Sequence, residues 1–368
     1  MAPPPPNPSH PHTNVWPASL VILGSSHPPP PRTPSNKLVL VLFRIPPPPH
    51  TPCVKFLQQS EMSSSSATNS KNNGVVASDD PRRLMWDAAQ EGRTADLRAL
   101  VQVVLANGGV HPAAAAVVLP ALHVAVCNDH AAVVLALLDT GAAGVNGQTG
   151  GGLPPLSAAS FYGSHETAQV LVKAKADINT ATPGDGKTPA FLAADNGHHS
   201  VLQMLVHAKA DVDQATTDKG ETPAVVAAQN GHTDSLQVLV QAKADIDKAM
   251  TDIGATPAFT AAWRGHTDLL QVLIAAAADV ARCLDRDGWS PLLVASAAGH
   301  LEVVRLLVDR APQMVHVRST AEHRWSGQVI AAGSAPVDVA RQLQRDSVVQ
   351  LLEGKIAGAG GQPKRLRK

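Results

Sequence analysis

Histidine is the residue type whose number and spacing could support chemistry in this chain. Sixteen histidines occur among 368 residues, and four of them recur at a constant step of 34: His198, His232, His266 and His300. Imidazoles bind zinc and carry protons, but a constant step indicates stacked repeats, in which equivalent side chains lie about 8–10 Å apart. Zinc ligands all lie about 2 Å from one ion. We therefore interpret these histidines as structural parts of a repeated turn and predict no metal site.

Motifs for nucleophilic catalysis or phosphate binding are missing from the sequence. No Gly-x-Ser-x-Gly element occurs, and Ser157 and Ser160 lack partners at a spacing that suggests a catalytic triad. The glycine-rich stretch 147–152 lacks the Lys-Ser/Thr of a phosphate-binding loop and lies between two repeats, where we interpret it as a lengthened loop. The sequence therefore predicts a protein that is not an enzyme and that needs no cofactor.

A repeat of 34 residues organises most of the chain. Identical Thr-Pro-Ala tripeptides begin at Thr188, Thr222 and Thr256, and Ser290-Pro291-Leu292 follows at the same step. Glycines recur at the same interval, at Gly163, Gly197, Gly231, Gly265 and Gly299. Six consecutive units are therefore in phase from about Val118 to Pro312.

Each unit is predicted to contain two antiparallel helices and an extended segment, which we call the finger. Thr188 and Pro189 are typical of a helix start, because the hydroxyl accepts hydrogen bonds from the first turn and proline fits that turn. The short apolar helix ends near Gly197, which supplies a left-handed turn. The stretch 200–206 places apolar residues on one helical stripe, and the turn-rich segment 210–220 predicts the finger.

This plan resembles the ankyrin repeat. The residues that carry the resemblance include Thr222-Pro223, Ala227-Ala228, Gly231-His232 and Ala244-Asp245-Ile246-Asp247, and neighbouring units repeat them in kind. The resemblance implies an all-α ankyrin-repeat solenoid of helix-turn-helix plus finger units, with about six phased repeats and two irregular terminal repeats. The terminal repeats are expected at 84–92 and 335–353, since an end unit meets water on one face.

Departures from the family pattern predict local costs. The family's glycine after the second helix is replaced by Lys175, Lys209 and Lys243. If the left-handed geometry persists there, each lysine costs on the order of 1 kcal/mol. The family's histidine of the first helix remains only as His123, so the fingers are expected to be held less firmly. The step of 34, against the usual ~33, implies one additional finger residue.

The sequence divides into three segments. Residues 1–82 are predicted to be a disordered Pro/Ser-rich segment, 83–353 the ankyrin-repeat domain, and 354–368 a basic flexible tail. Three interpretations of residues 1–61 stay open. They are an unstructured tail that binds nothing, which the composition favours, a ligand for domains that bind proline-rich strands, or translated sequence upstream of a true start at Met62.

Composition restricts the partners and the compartment. Residues 1–60 and 354–368 together hold nine basic and no acidic residues. The remaining residues, 61–353, hold 21 basic and 30 acidic residues, which gives a net charge of −9. This sign argues against binding nucleic acid, and no apolar run approaches the ~20 residues of a membrane span. Three scattered cysteines favour a reducing compartment. We expect a cytoplasmic monomer, with nuclear import through the basic tail as the alternative.

Positions that differ between repeats indicate the contact surface, because constant positions serve the stack. The variable positions precede the turn glycine and the Thr-Pro start, and in the resembled family they lie on the concave groove that binds partner proteins. The predicted partner-binding residues are Phe161, Tyr162, Lys187, Asp195, Asn196, Glu221, Gln229, Asn230, Trp263, Arg264 and Trp289. Aromatic and arginine side chains at such positions are typical of interface hot spots. The alternative is that the rings fill space beside Ala190, Ala224 and Ala258.

The function predicted from these features is that of a noncatalytic scaffold or adaptor that binds another protein. Two alternatives stay open: a substrate-recruiting subunit of a larger enzyme complex, and a structural repeat protein without a dedicated partner. The last repeat is also interrupted, since Ser290 and Ala335 lie 45 rather than 34 apart. An insertion of 11 residues is therefore expected near 316–327, either as part of the binding face or as a plain loop.

Overall fold

Helices in successive packed pairs form the part of the chain that the computed structural model describes, residues 81–106, 112–141, 143–282 and 288–360. The predictions for residues 1–80 and for the basic tail from 361 onward lie outside the described residues. The helices within the described part are α1 Pro81–Gln90, α2 Thr94–Ala106, α3 Pro112–Cys127, α4 Ala131–Leu138, α5 Pro155–Tyr162, α6 His165–Lys173, α7 Pro189–Asp195, α8 His199–His207, α9 Pro223–Asn230, α10 Thr233–Gln241, α11 Pro257–Arg264, α12 Thr267–Ala275, α13 Pro291–Ala298, α14 Leu301–Arg310, α15 Pro336–Gln342 and α16 Asp346–Gly360. The predicted all-α solenoid is confirmed.

The first helix of each phased repeat begins as the Thr-Pro pair predicts. The Thr188 hydroxyl accepts a hydrogen bond from the backbone N–H of Phe191, with an N–O distance of 3.2 Å. Thr222, Thr256 and Ser290 accept the equivalent bond in the next three repeats. Each cap satisfies an N–H group that has no partner within the helix, and the following proline has no N–H to satisfy.

The core lies between neighbouring first helices and beneath one stripe of each second helix. First helices are buried almost all round: every residue from Pro223 to Ala228 of α9 is buried. Second helices bury one face, as α8 does with Val201, Leu202 and Leu205. First helices contact the first helices of adjacent repeats, and second helices contact second helices. Burial of apolar surface on these interfaces supplies the main stabilisation of the stack.

Backbone hydrogen bonds join the fingers of adjacent repeats. The N–H of Thr217 donates to the carbonyl of Asp185 at 3.0 Å, and the N–H of Thr251 donates to the carbonyl of Lys219 at 2.9 Å. The remaining first-helix histidine, His123, bonds to the Thr149 hydroxyl at 3.1 Å, and the N–H of the neighbouring Gly150 donates to the carbonyl of Leu119 at 3.0 Å. Main-chain bonds therefore connect adjacent repeats both where this histidine is present and where it is absent.

The left-handed conformation persists where lysine replaces glycine after the second helix. The φ angles are 65° at Lys175, 70° at Lys209 and 63° at Lys243, close to the 70° of Gly141 one step earlier. A side chain in this region brings its Cβ too close to the following carbonyl, so each lysine reduces stability. The expected geometry is confirmed, and the turn is fixed by its position in the repeat rather than by glycine.

The interruption before the last helix pair contains ordered structure. A 3₁₀ helix, Pro312–His316, is followed by strands β1 His323–Trp325 and β2 Gln328–Ile330, which pair as a two-stranded sheet. At its base the N–H of Ser319 donates to the Ser334 carbonyl at 3.0 Å. The predicted insertion is therefore present, and it forms a hairpin rather than a plain loop.

Helix α16 extends beyond the boundary that we expected at Glu353, since it ends at Gly360. No proline interrupts residues 354–360, and the Lys355 ammonium bonds to the Asp309 carboxylate of α14 at 2.6 Å. The last helix therefore continues past residue 353 as far as Gly360.

Replacing Lys243 by glycine is expected to raise the free energy of unfolding by about 1 kcal/mol, because glycine adopts the left-handed turn without a Cβ contact. Urea denaturation measures the change. Lys243→Ala is the matched control, because it removes the same charged side chain but keeps the Cβ. Equal stability of the glycine and alanine variants would contradict the assignment of strain to this turn.

Candidate functional site

Eight variable residues lie at the C-terminal ends of four consecutive first helices, and we call them the helix-end row. They are Phe161, Tyr162, Asp195, Asn196, Gln229, Asn230, Trp263 and Arg264. All eight side chains are partly or fully exposed. Because adjacent first helices pack against each other, the four pairs follow one another along the stack. Lys187 and Glu221, two finger residues that were also predicted to bind a partner, are partly exposed as well.

The recurring histidines hold the backbone of this row. The Nε2 atom of each ring bonds to a carbonyl oxygen one repeat earlier, at 3.0 to 3.3 Å, and must therefore be the protonated nitrogen of the ring. The bonds run from His198 to Phe161, from His232 to Asp195, from His266 to Gln229 and from His300 to Trp263. The structural interpretation of the histidines is confirmed, and their acceptors are the row residues themselves.

A glycine in one repeat leaves the space that the histidine ring of the next repeat occupies. A Cβ at Gly163 would lie 2.5 Å from the His198 ring, and one at Gly231 would lie 2.8 Å from the His266 ring. Both distances are shorter than a carbon atom tolerates. The glycine of the turn therefore has two functions: it adopts φ angles of 76° to 79°, and it lets the next ring reach its carbonyl.

At one junction between two repeats, an aspartate and a serine replace the glycine and the histidine. Asp129 stands where later repeats have glycine, with φ 57°, and Ser164 stands where they have histidine. The Ser164 hydroxyl donates to the Val126 carbonyl at 2.5 Å, and the Asp129 carboxylate accepts from the Thr167 N–H at 2.8 Å. The smaller serine thus leaves room for the aspartate side chain, which caps the first turn of α6.

Both carboxylates at the centre of the site are disfavoured in their charged form. Burial raises the pKa of Asp195, although Lys187, the amide of Asn230 and His232 partly oppose it. Burial also raises the pKa of Glu221, and the neighbouring Asp195 adds to the effect. The Asn230 amide donates to the Asp195 carboxylate at 2.8 Å and links two members of the row directly.

Lys187 is the cation shared by these acids. Its ammonium lies 3.2 Å from the Asp185 carboxylate and 5.8 Å from the centre of the Phe191 ring. Burial alone would raise the pKa of Asp185, but hydrogen bonds from Thr182 and Lys187 lower it overall. The sequence prediction missed Asp185. Asp185 lies two residues before Lys187, and the equivalent positions in the next two repeats hold Lys219 and Ile253. Comparison of the repeats would therefore have identified it as a variable position of the finger.

Contacts to aromatic rings lie at both ends of the row. Phe161 and Tyr162 meet edge to face with ring centres 5.0 Å apart, and Tyr162 meets His123 in the same way at 5.8 Å. At the other end, the Arg264 guanidinium lies 4.9 Å from the Trp263 ring centre. Such contacts restrict the conformations of these large side chains.

Trp289 does not belong to this surface. Its side chain is only 1% exposed, and its ring centre lies 4.6 Å from that of His323 in the insertion. The prediction that Trp289 contacts a partner is corrected, because the ring is buried against His323 of the insertion. Trp289 is thus a packing residue, and its observed neighbour is His323, whereas the alternative interpretation named the space beside Ala190, Ala224 and Ala258.

The described residues hold neither a cluster of metal-binding side chains nor a helix that could span a membrane. No three His, Cys, Asp or Glu side chains in that part of the chain lie close enough to hold a metal ion. None of its helices combines the length and the apolar character needed to cross a bilayer.

Comparison with known proteins gives one family. The family model described as "Ankyrin repeats (3 copies)" matches the chain over residues 84–182, 156–252 and 247–319. Together these matches run from 84 to 319, or 319 − 84 + 1 = 236 of 368 residues. No curated protein matches the chain.

Gly231→Ala is expected to lower the free energy of unfolding by roughly 2–4 kcal/mol, because the new methyl group displaces the His266 ring and adds left-handed strain. Gly152→Ala is the matched control: Gly152 has φ 80°, but nothing lies within 4 Å of its Cβ position. The control should lose only about 1 kcal/mol in the same urea denaturation. Equal losses would show that the ring does not constrain the glycine.

Mild acid is expected to destabilise the repeats. Burial lowers the pKa of His198 and of His300 below their values in the unfolded chain. Near pH 7 both rings are therefore mostly neutral in the folded and in the unfolded protein. As the pH falls below about 6.5, the unfolded chain binds protons that the folded chain does not, and stability decreases. Urea denaturation across this range should show a smaller decrease for His198→Gln than for wild type. The exposed-site control His207→Gln should keep the full decrease, and a decrease unchanged in His198→Gln would contradict the assignment.

Proposed function

The chain belongs to the ankyrin repeat family, and we propose that it is a noncatalytic scaffold or adaptor that binds another protein through the helix-end row and the fingers beside it. Ankyrin repeats are generally modules for interactions between proteins. The odd, scattered set of three cysteines supports a reducing compartment, which we propose to be the cytoplasm, and we propose that the protein acts as a monomer.

One observation carries the proposal. The carbonyls of Phe161, Asp195, Gln229 and Trp263 are all held by histidines of the next repeat, yet the four side chains on these carbonyl-bearing residues are unlike one another. The stack thus depends on the main chain at these positions and does not dictate which side chain stands there. A row of different, partly exposed side chains on a fixed backbone is the arrangement that selective protein binding requires.

The chemistry of the row suits a protein partner. It combines two ring clusters, amides and carboxylates, and aromatic and arginine side chains supply most of the energy in interfaces between proteins. The net charge of −9 over residues 61–353 does not suit a nucleic-acid phosphate backbone. A substrate-recruiting subunit of a larger enzyme complex would use the same surface, so it differs from a simple adaptor only in what its partner does.

Proximity labelling followed by pull-down with the full chain tests the proposal. The double variant Trp263→Ala/Arg264→Ala is expected to lose at least about tenfold in affinity for the enriched partner, since both residues are of hot-spot type. Arg305→Ala, at an exposed arginine of α14, is the control and should bind as wild type does.

The free energy of unfolding of the double variant separates binding from packing. Lost binding with stability close to wild type supports the proposal, whereas lost binding together with a large loss of stability assigns the rings to the core. If no partner is enriched by wild type, the chain is a structural repeat protein and the proposal is wrong.

A further inference from the structure

His123 is a buried imidazole in helix α3. It is only 2% exposed, and the equivalent positions of the next five repeats hold Ser157, Phe191, Val225, Phe259 and Leu293. The stack therefore accepts an aromatic ring at this position, and it also accepts a smaller side chain. What the imidazole adds follows from two of its neighbours, the finger 147–152 and the ring of Tyr162.

The glycine-rich finger 147–152 lies directly against the imidazole. The Thr149 Oγ1 atom is 3.1 Å from His123 Nδ1, and Thr149 is itself buried. A Cβ at Gly151 would lie 2.3 Å from the ring, which is closer than a carbon atom tolerates. Gly151 does not adopt the left-handed conformation, so the ring is what excludes a side chain at this position. The finger thus limits where the imidazole can lie.

Tyr162 of the helix-end row contacts the same imidazole through its own ring. The two ring centres are 5.8 Å apart and the ring planes lie at 75°, the edge-to-face arrangement that aromatic quadrupoles favour. The Phe161 ring meets the Tyr162 ring at 5.0 Å and 83°, and His198 holds the Phe161 carbonyl at 3.1 Å. One histidine therefore fixes the main chain beside Tyr162, and another contacts the partly exposed ring of Tyr162.

We propose that His123 is a positioning residue of the partner-binding surface: its ring holds the Tyr162 ring in the orientation that a partner protein meets. This inference rests on the proposed function and gives a role in it to a buried residue outside the helix-end row. A side chain that is already restrained loses less conformational entropy on binding, so the same contact with a partner gives a higher affinity. Because the imidazole also meets Thr149 and Gly151, one side chain joins the finger 147–152 to the aromatic end of the row.

Two substitutions taken from other repeats isolate the contribution of the ring. His123→Phe introduces the residue found at Phe191, and His123→Val introduces the residue found at Val225, so both side chains occur at this position of the repeat. Both variants remove the bond to Thr149, but only the phenylalanine keeps a ring beside Tyr162. Tyr162 is the only tyrosine of the chain, so NMR relaxation of ring-labelled tyrosine reports on this side chain alone. The Tyr162 ring is expected to be more mobile in His123→Val and as restrained as wild type in His123→Phe.

The binding probe is a synthetic peptide selected from a displayed random library on the immobilised full chain, and kept because Tyr162→Ala weakens its binding. This peptide should bind His123→Val about two- to tenfold more weakly than wild type, the equivalent of one edge-to-face contact. His123→Phe should bind it as wild type does.

A substitution in the finger makes the test independent of whether the His123 variants fold. Gly151→Ala displaces the imidazole without changing His123 or Tyr162, and it should weaken peptide binding and free the Tyr162 ring in the same way. Gly152→Ala is the matched control, because nothing lies within 4 Å of its Cβ position, and it should keep the wild-type affinity.

Wild-type affinity and ring relaxation in His123→Val would overturn this inference and keep the proposed function, because the peptide would still depend on Tyr162. Equal losses in His123→Val and His123→Phe would also overturn it, since they would assign the effect to the bond with Thr149. A library that yields no peptide dependent on Tyr162 would count against both the inference and the proposed function.

Discussion

The bond from a histidine ring to a carbonyl of the preceding repeat is the interaction on which the rest of the structure depends. It joins two repeats, satisfies a backbone acceptor near a helix end, and places the residue that carries that acceptor. It also requires glycine at the position that faces the ring. At Gly197, for example, a Cβ would lie 2.7 Å from the His232 ring. One contact thus explains both the constant Gly-His step and the position of the variable residues. In the last repeat Arg345 takes the place of the ring and donates to the Ala297 carbonyl at 3.2 Å.

Much of this architecture could be predicted from the sequence, because its determinants are local. A threonine before proline caps a helix through its own first turn, and a glycine after a short apolar run ends it, so Thr222 and Gly231 indicated α9 without knowledge of the fold. The constant step of 34 residues then extended the same helix assignment to the consecutive repeats. The acceptors of the histidines could not be predicted in this way, because each bond spans about 37 residues and depends on how the repeats stack.

The errors arise where the repeat contacts something that is not a repeat. Trp289 varies between units just as Trp263 does, but its neighbour is His323 of the insertion. Comparison of repeats identifies positions that the stack does not constrain, and it cannot distinguish a free surface from a surface covered by an insertion. Helix α16 likewise passes the expected boundary, and its Lys355 bonds to Asp309, which lies 46 residues away in sequence. The raised pKa values of Asp195 and Glu221 required the structure for a similar reason, since the burial of these carboxylates follows from packing.

The pairing of each turn glycine with the ring that follows it has a consequence for how such a gene changes length. From Gly163 to Gly265, the turn glycine of each unit leaves space for the histidine ring of the next unit, so unequal recombination by whole units rejoins a compatible pair. The junction of Asp129 with Ser164 is different. A deletion that brought Asp129 next to His198 would place a carboxylate-bearing side chain where the ring must lie. Whole repeats can therefore be gained or lost on one side of this junction, while the junction itself must be inherited as a pair.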